Sequence, residues 1–296
     1  MRAAVTGGAG FIGSHVVDAL LARGAEVHVV DNFATGRREN LNGAAAVHEH
    51  DIREPLGRLF DEIRPEVVVH LAAQADVGTS VEQPVFDAEV NILGTLNVLE
   101  AARPHGSQLI FSSTGGAIYG ECERPAREDD ERRPLSPYGT AKLGAEEYLA
   151  TWNRLHGGRH VALRFANVYG PRQLSKLEGG VVAIFIDRLR AGDGVTIFGD
   201  GEQTRDYVYV ADVVEAVLAA IGHDGGVFNV GTGTETSVND LYEACRRVAG
   251  VDGEARHAPA RPGEVLRSVL DVSNTERALA WRPRTPLDDG LRQTWG

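Results

Sequence analysis

Lysine is almost missing from this chain. Of its 30 basic residues only Lys142 and Lys176 are lysines, the rest being arginine. Acidic residues number 42 and leave a net charge of −12. A surface of that sign repels nucleic-acid phosphates and anionic lipid, so neither is an expected partner. Cysteine is limited to Cys122 and Cys245, with no C-x-x-C spacing. No metal site is expected, and two free thiols in a reducing cytoplasm are a simpler reading than one disulfide. No run of roughly 18 apolar residues occurs, so no transmembrane helix is expected. Met1–Thr6 leads straight into glycines, which leaves no room for a signal peptide.

What is present is an alternation of strand and helix patterns. Ala3–Thr6, Glu26–Asp31, Val47–His50, Val67–Leu71, Leu109–Ser112 and Val161–Leu163 read as strands. Phe11–Arg23, Leu56–Ile63, Pro84–Ala102 and Pro137–Leu155 read as the helices between them. This order predicts a parallel sheet with helices on both faces and a ligand crevice at the carboxyl ends of its strands. Beyond Asn167 the pattern changes. Helices are expected at Val181–Leu189, Ala211–Ile221 and Val238–Val248, strands at Val195–Phe198, Val227–Val230 and Val265–Leu270, and a helical end. The expected division is residues 1–166, rejoined by about 206–235, and a smaller unit from 167–205 and 236–296.

Gly7, Gly10 and Gly13 follow the first strand and open the first helix. The first allows a tight turn, the second a close approach of backbone to a pyrophosphate, the third close helix–strand packing. Asp31 ends the second strand, where a carboxylate accepts from an adenosine ribose 2′-hydroxyl and repels a 2′-phosphate. That favours NAD over NADP, with Arg37 and Arg38 read as surface residues.

Tyr138 and Lys142 stand four apart at the start of a helix, on one face and one turn apart. A free phenol has a pKa near 10, and a neighbouring ammonium is expected to lower it toward a useful base. Ser112, Ser113 and Thr114 close a buried strand. Ser113 and Thr114 are both candidates to share a proton with Tyr138, and Ser112 reads as a strand-end cap.

With these features in place, the chain resembles the extended short-chain dehydrogenase/reductase family. Within it, the resemblance is to the NAD-dependent epimerase/dehydratase type, and most to UDP-glucose (UDP-galactose) 4-epimerases. Matching stretches run nearly end to end: Thr6–His15, His70–Ala75, Asn91 with Gly94-Thr95, Ser136–Lys142, Leu163-Arg164 to Asn167–Arg172, and Phe198–Gly201 to Arg205–Val208. The resemblance implies an α/β Rossmann-type doubly wound parallel sheet with a smaller α/β substrate-binding domain. It implies that Gly7, Gly10, Phe11, Ile12, Gly13, Asp31, Asn32, Asp51, Ile52, Leu71, Ala72, Ala73, Gln74, Asn91, Ser112 and Phe165 hold NAD alongside Tyr138 and Lys142. Thr114 best matches the family's catalytic hydroxyl. Thr114, Tyr138, Asn167, Val181, Thr196, Phe198, Arg205, Arg261, Glu264 and Ser268 would meet a UDP-sugar, with Arg205 and Arg261 on its pyrophosphate. The segment Thr114–Gly120 looks one residue longer than in many relatives, and the chain ends early, at Trp295-Gly296.

Family 4,6-dehydratases carry an Asp-Glu pair just after the strand-end Thr, and decarboxylases tend to place a Glu in this segment. Here the positions hold Gly115 and Gly116. The reaction implied is therefore reversible oxidation at one sugar carbon, interconverting UDP-glucose and UDP-galactose in galactose metabolism. Ser268 matches a position gating bulk near C2, so N-acetylated sugars are a second possibility. A UDP-glucuronate 4-epimerase, a nucleotide-sugar reductase and an inactive NAD-sensing scaffold are the alternatives. The resemblance also implies a homodimer through a four-helix bundle built from the two long helices.

Overall fold

The structure, a computed structural model, describes residues 1–175, 180–260 and 265–296. Fourteen strands occur among them: β1 (Arg2–Thr6), β2 (Glu26–Asp31), β3 (Ala46–Glu49), β4 (Val67–His70), β5 (Gln108–Thr114), β6 (Val161–Phe165), β7 (Asn167–Tyr169), β8 (Thr196–Phe198), β9 (Thr204–Arg205), β10 (Tyr207–Tyr209), β11 (Gly226–Val230), β12 (Thr236–Ser237), β13 (Arg256–Ala258) and β14 (Arg267–Ser268). Seven form one sheet in the order β11-β6-β5-β4-β1-β2-β3. Every pairing in it is parallel. This is the Rossmann-like α/β fold, and Val227–Val230 does rejoin the main sheet as part of β11.

The central strands are apolar on both faces because helices cover both. Ala3 and Val5 face one core cluster with Val16, Val17 and Leu20 of helix Phe11–Ala22. Ala4 faces the other, with Phe60, Val98, Leu99 and Leu149. Strand order reverses between β1 and β4, so the loops after these two strands diverge and leave a crevice at their carboxyl ends.

The smaller sheets pair β10 with β7, β9 with β12 and β14, and β13 with β8. They pack on helices Val181–Ala191 and Val238–Ala249 around Phe185, Ile197, Leu241 and Tyr242. The expected strand Val265–Leu270 is shorter. Among the described residues it is Arg267–Ser268 plus a single bridge from Leu270 to Ala126. The long helix expected from Pro84 to Ala102 is continuous, but carries a π-helical turn at Glu89–Leu93 between α-helical Pro84–Ala88 and Gly94–Ala102. Both cysteines are free thiols. Among the described residues no helix is long and apolar enough to cross a membrane, and no side-chain cluster suits a metal.

Candidate active site

A cavity of about 710 Å³ opens at the carboxyl ends of β1 through β6. At one end lies the glycine turn. Gly7 has φ +69°, and a Cβ there would come within 2.6 Å of the Ala72 nitrogen. A Cβ on Gly13 would lie 2.1 Å from the Gly7 carbonyl oxygen. Only glycine lets helix Phe11–Ala22 start this close to β1. Gly10 caps that helix without a side-chain hydrogen bond, and no acid occupies its first turn. The helix therefore begins at the cavity wall with backbone N–H groups and a positive dipole end, as a pyrophosphate requires.

Asp31 is pinned beside this turn by the backbone N–H groups of Ala9 (2.9 Å) and Phe33 (2.8 Å). Arg37 and Arg38 spend their charge on Glu39 and Glu49, so neither is committed to a 2′-phosphate. Further along, Asn32 and Arg53 both donate to Asp51, at 2.9 Å and 2.8 Å, and hold its carboxyl well below the usual carboxylate range. Ile52, Leu71, Ala72, Ala73 and Gln74 line the same wall, and Ser112 and Phe165 close the far side. These residues fit a dinucleotide: a cradle that any Cβ would fill, then a carboxylate at ribose distance along the sheet edge, then an apolar slot.

Asn91 does not line the cavity. It is buried in the π-helical turn and brackets Gln74, accepting from its N–H (3.1 Å) and donating to its carbonyl (2.9 Å). The extra residue in that turn is what aims Asn91 back at the loop after β4, a use of π-turns common near functional sites. His70 fixes the same loop from below, paired with Thr6 (2.7 Å) and Thr95 (3.0 Å). Burial pushes its imidazole down to about 3, so it is neutral there.

At the other end stands the helix Pro137–His156. Ser136 caps it, accepting from the Gly139 N–H at 3.2 Å, and Pro137 fits the first turn. Tyr138 and Lys142 thus leave the same face into the cavity, with the Lys142 Nζ 5.9 Å from the Tyr138 ring centre. Thr114 lines the same cavity as the phenol and acts to lower its pKa. Ser113 is also in the cavity lining, but its hydroxyl donates to Glu146, on the opposite side of β5 from Thr114.

The electrostatics differ from the sequence expectation. Burial and the charge of Asp87 push the Tyr138 phenol up to about 12, and only Thr114 pulls it down. The Lys142 ammonium donates to the Ser112 carbonyl at 2.9 Å instead of to the phenol. Burial lowers Lys142 itself to about 8, opposed by Asp87 and Glu146.

Sequence reasoning passed over three groups here. Arg164 and Glu146 form a fully buried pair, 2.7 Å apart, beneath the catalytic helix. Asp87 is 1% exposed and accepts from Gln74 and Asn91 at 2.9 Å each. Arg164 falls in a matching stretch but with no role implied for it, Glu146 and Asp87 belong to no recognisable spacing, and the partners of all three lie mainly on other elements.

Of the expected sugar-binding residues, Thr114 and Tyr138 line this cavity, and Asn167, Val181, Thr196, Phe198, Arg205 and Ser268 are not in its lining. Asn167 begins β7 near Gly116, whose Cβ would be 3.6 Å from its amide oxygen. Val181 opens helix Val181–Ala191, and Thr196 and Phe198 share one face of β8. Arg205 and Ser268 are register partners across β9 and β14. Arg261 and Glu264 lie outside the described residues.

A doubly wound parallel sheet with a Tyr-x-x-x-Lys helix beside a glycine-turn cleft defines a short-chain dehydrogenase/reductase of the extended type. A model of the NAD dependent epimerase/dehydratase family matches residues 3–231. The chain belongs to that family, and NAD is its cofactor. It is similar to the solved UDP-glucose 4-epimerase of Thermotoga maritima bound to UDP-glucose. That similarity is 49% identity, with 100% of this chain and 97% of that one covered and a TM-score of 0.97. The UDP-glucose 4-epimerase of Mycolicibacterium smegmatis is 43% identical over 99% of this chain and 97% of its own length. The UDP-glucuronic acid 4-epimerase of Bacillus cereus, solved with UDP-glucuronic acid and NAD, is 32% identical. It covers 100% of this chain and 98% of its own, with a TM-score of 0.90.

Proposed function

We propose that this protein is a UDP-hexose 4-epimerase that interconverts UDP-glucose and UDP-galactose through a 4-keto sugar. The observation that carries the reading is that Thr114, Tyr138 and Lys142 line one cavity, with glycines, not acids, at the two positions after Thr114. A Cβ at Gly115 would lie 2.5 Å from the Leu270 side chain, so a larger residue there requires Leu270 to shift. Held by the glycine turn and Asp31, NAD⁺ would supply a reversible hydride acceptor for the sugar carbon. Tyr138 takes the C4 hydroxyl proton as phenolate and later gives it back, with Thr114 holding the sugar oxygen. Lys142 steadies the charge next to it and offers its remaining N–H groups to a ribose hydroxyl.

Arg205 and Arg261 suit the pyrophosphate, because a guanidinium fork matches phosphate oxygens. Asn167, Val181, Thr196, Phe198 and Glu264 are assigned to the rest of the UDP-sugar, and the small Ser268 would leave space for an N-acetyl group at C2. The similarity to a UDP-glucuronic acid 4-epimerase supports the uronate as a second reading. We also read the protein as a cytoplasmic homodimer joined through its two long helices.

One experiment separates these readings. The pure protein is incubated separately with UDP-glucose, UDP-N-acetylglucosamine and UDP-glucuronate, without added cofactor, beside a Tyr138→Phe variant that retains NAD. The expected result is 4-epimer from UDP-glucose, at a rate at least roughly 10²-fold lower in the variant. Undiminished turnover by Tyr138→Phe would falsify the mechanism. Product from UDP-glucuronate alone would transfer the assignment to that sugar.

A further inference from the structure

Lys142 is an ammonium with 2% exposure, and it donates to an uncharged carbonyl, that of Ser112. A buried cation is held only if charge of the opposite sign compensates it. The ionisable groups around it can be followed element by element. On its own helix are Tyr138, whose phenol is neutral in this state, and Glu146. From β4 comes His70, also neutral. From β6 comes Arg164, whose guanidinium grips Glu146 through three contacts of 3.0, 3.2 and 2.7 Å. Glu146 also accepts from Ser113, so its charge is already matched.

That leaves Asp87, on the segment Pro84–Ala88 that packs against the catalytic helix. One of its oxygens accepts from both Gln74 and Asn91. The other, Oδ2, is buried with no hydrogen-bond partner. An orphaned carboxylate oxygen in a core is costly unless its charge is used. Burial pushes the Asp87 carboxyl up, opposed by the hydrogen bonds from Gln74 and Asn91 and by the Lys142 charge, and its own charge acts on both Lys142 and Tyr138.

We propose that Asp87 is the buried counter-charge of Lys142 and acts as a positioning residue of the active site. It holds the lysine in its ammonium form from the adjoining segment Pro84–Ala88. With its other oxygen it ties Gln74 and Asn91, and so the loop after β4, to the same charge. The negative charge also opposes ionisation of Tyr138 until positive charge enters the site, which restrains the base in the empty enzyme. This deepens the reading of Tyr138 and Lys142 as the catalytic pair, but its test does not depend on turnover.

The scarcity of lysine makes that test direct. Protein labelled with ¹³Cε-lysine contains two lysines, and Lys176→Arg assigns the remaining resonance to Lys142. The chemical shift is followed against pH in the NAD-containing protein. The expected midpoint for Lys142 in the parent lies below that of an exposed lysine. In Asp87→Asn and Asp87→Ser it falls further, by about one pH unit, and Asp87→Glu restores it. An unchanged midpoint in both neutral variants overturns the proposal. A failure of the epimerase reading would instead show in Tyr138→Phe turnover and leave this titration in place.

Discussion

Ser113 and Thr114 are neighbours in sequence but sit on opposite faces of β5, and that difference assigns them different work. Ser113 donates into the buried Glu146–Arg164 pair. Thr114 meets the phenol. Thr114→Ala is therefore expected to lower kcat roughly 10²-fold with little change in melting temperature. Ser113→Ala removes a hydrogen bond to a charged, buried carboxylate. It is expected to cost roughly 1.5–3 kcal/mol of stability with kcat near the parent value. Thermal melts and initial rates on the two variants check both halves. The sequence alone left the two hydroxyls equivalent, because a shift of one residue in the end of β5 exchanges their faces. Asp87 was equally illegible. An acid on an ordinary helix pattern signals nothing until the fold shows that its neighbours leave one oxygen unpartnered.

The helix Pro137–His156 shows what an element contributes beyond its side chains. A Cβ on Gly139 would lie 2.4 Å from the Ala117 carbonyl oxygen, a backbone atom that cannot move aside alone. Gly139 thus allows the catalytic helix to start against Gly115–Ile118, which carries Thr114 next to Tyr138. At Gly144 the nearest atom to such a Cβ is the Ile92 side chain at 3.7 Å, an ordinary contact. Opposite outcomes are expected from one chemical change on one helix. Gly144→Ala should hold or raise stability by up to about 1 kcal/mol, as helix propensity dictates. Gly139→Ala should lower it and reduce kcat further than the stability loss explains, because Tyr138 is displaced. Denaturant midpoints and kcat for the pair decide the matter, and equal behaviour would sink the packing argument. The helix itself was legible from Ser136, Pro137 and the apolar spacing that follows. The π-helical turn in the segment Pro84–Ala102 was not, since one extra residue in a turn scarcely disturbs a helical pattern. Strand Val265–Leu270 was overread for a related reason: apolar residues there, Val269 and Leu270, are buried without forming an extended ladder.

Over the whole molecule, the parallel order of β1 to β6 and the return of β11 were legible because local period and turn residues agree along that stretch. How copies of the chain meet is a different question, and it is posed by what remains on the surface. With a net charge of −12, two copies repel unless they meet through an uncharged face. A face rich in apolar side chains is exposed on neighbouring helices: Val81 (62%) on the short helix Val77–Glu82, Val85 (72%) and Leu93 (54%) on Pro84–Ala102, and Tyr148 (41%) and Leu155 (68%) on Pro137–His156. A twofold axis through this face would bring four helices together, each patch covering its own copy, as isologous dimers require. The same helices carry Tyr138, Lys142, Asp87 and Asn91, so association would also stiffen the floor of the site. Placing Val85→Glu and Leu155→Glu together puts two more negative charges on each copy at the centre of the contact. Light scattering after size exclusion is expected to find a dimer for the parent and a monomer for the double variant, with a reduced melting temperature at equal protein concentration. A parent protein that elutes as a monomer at micromolar concentration would remove the dimer and leave the apolar stripe without a partner.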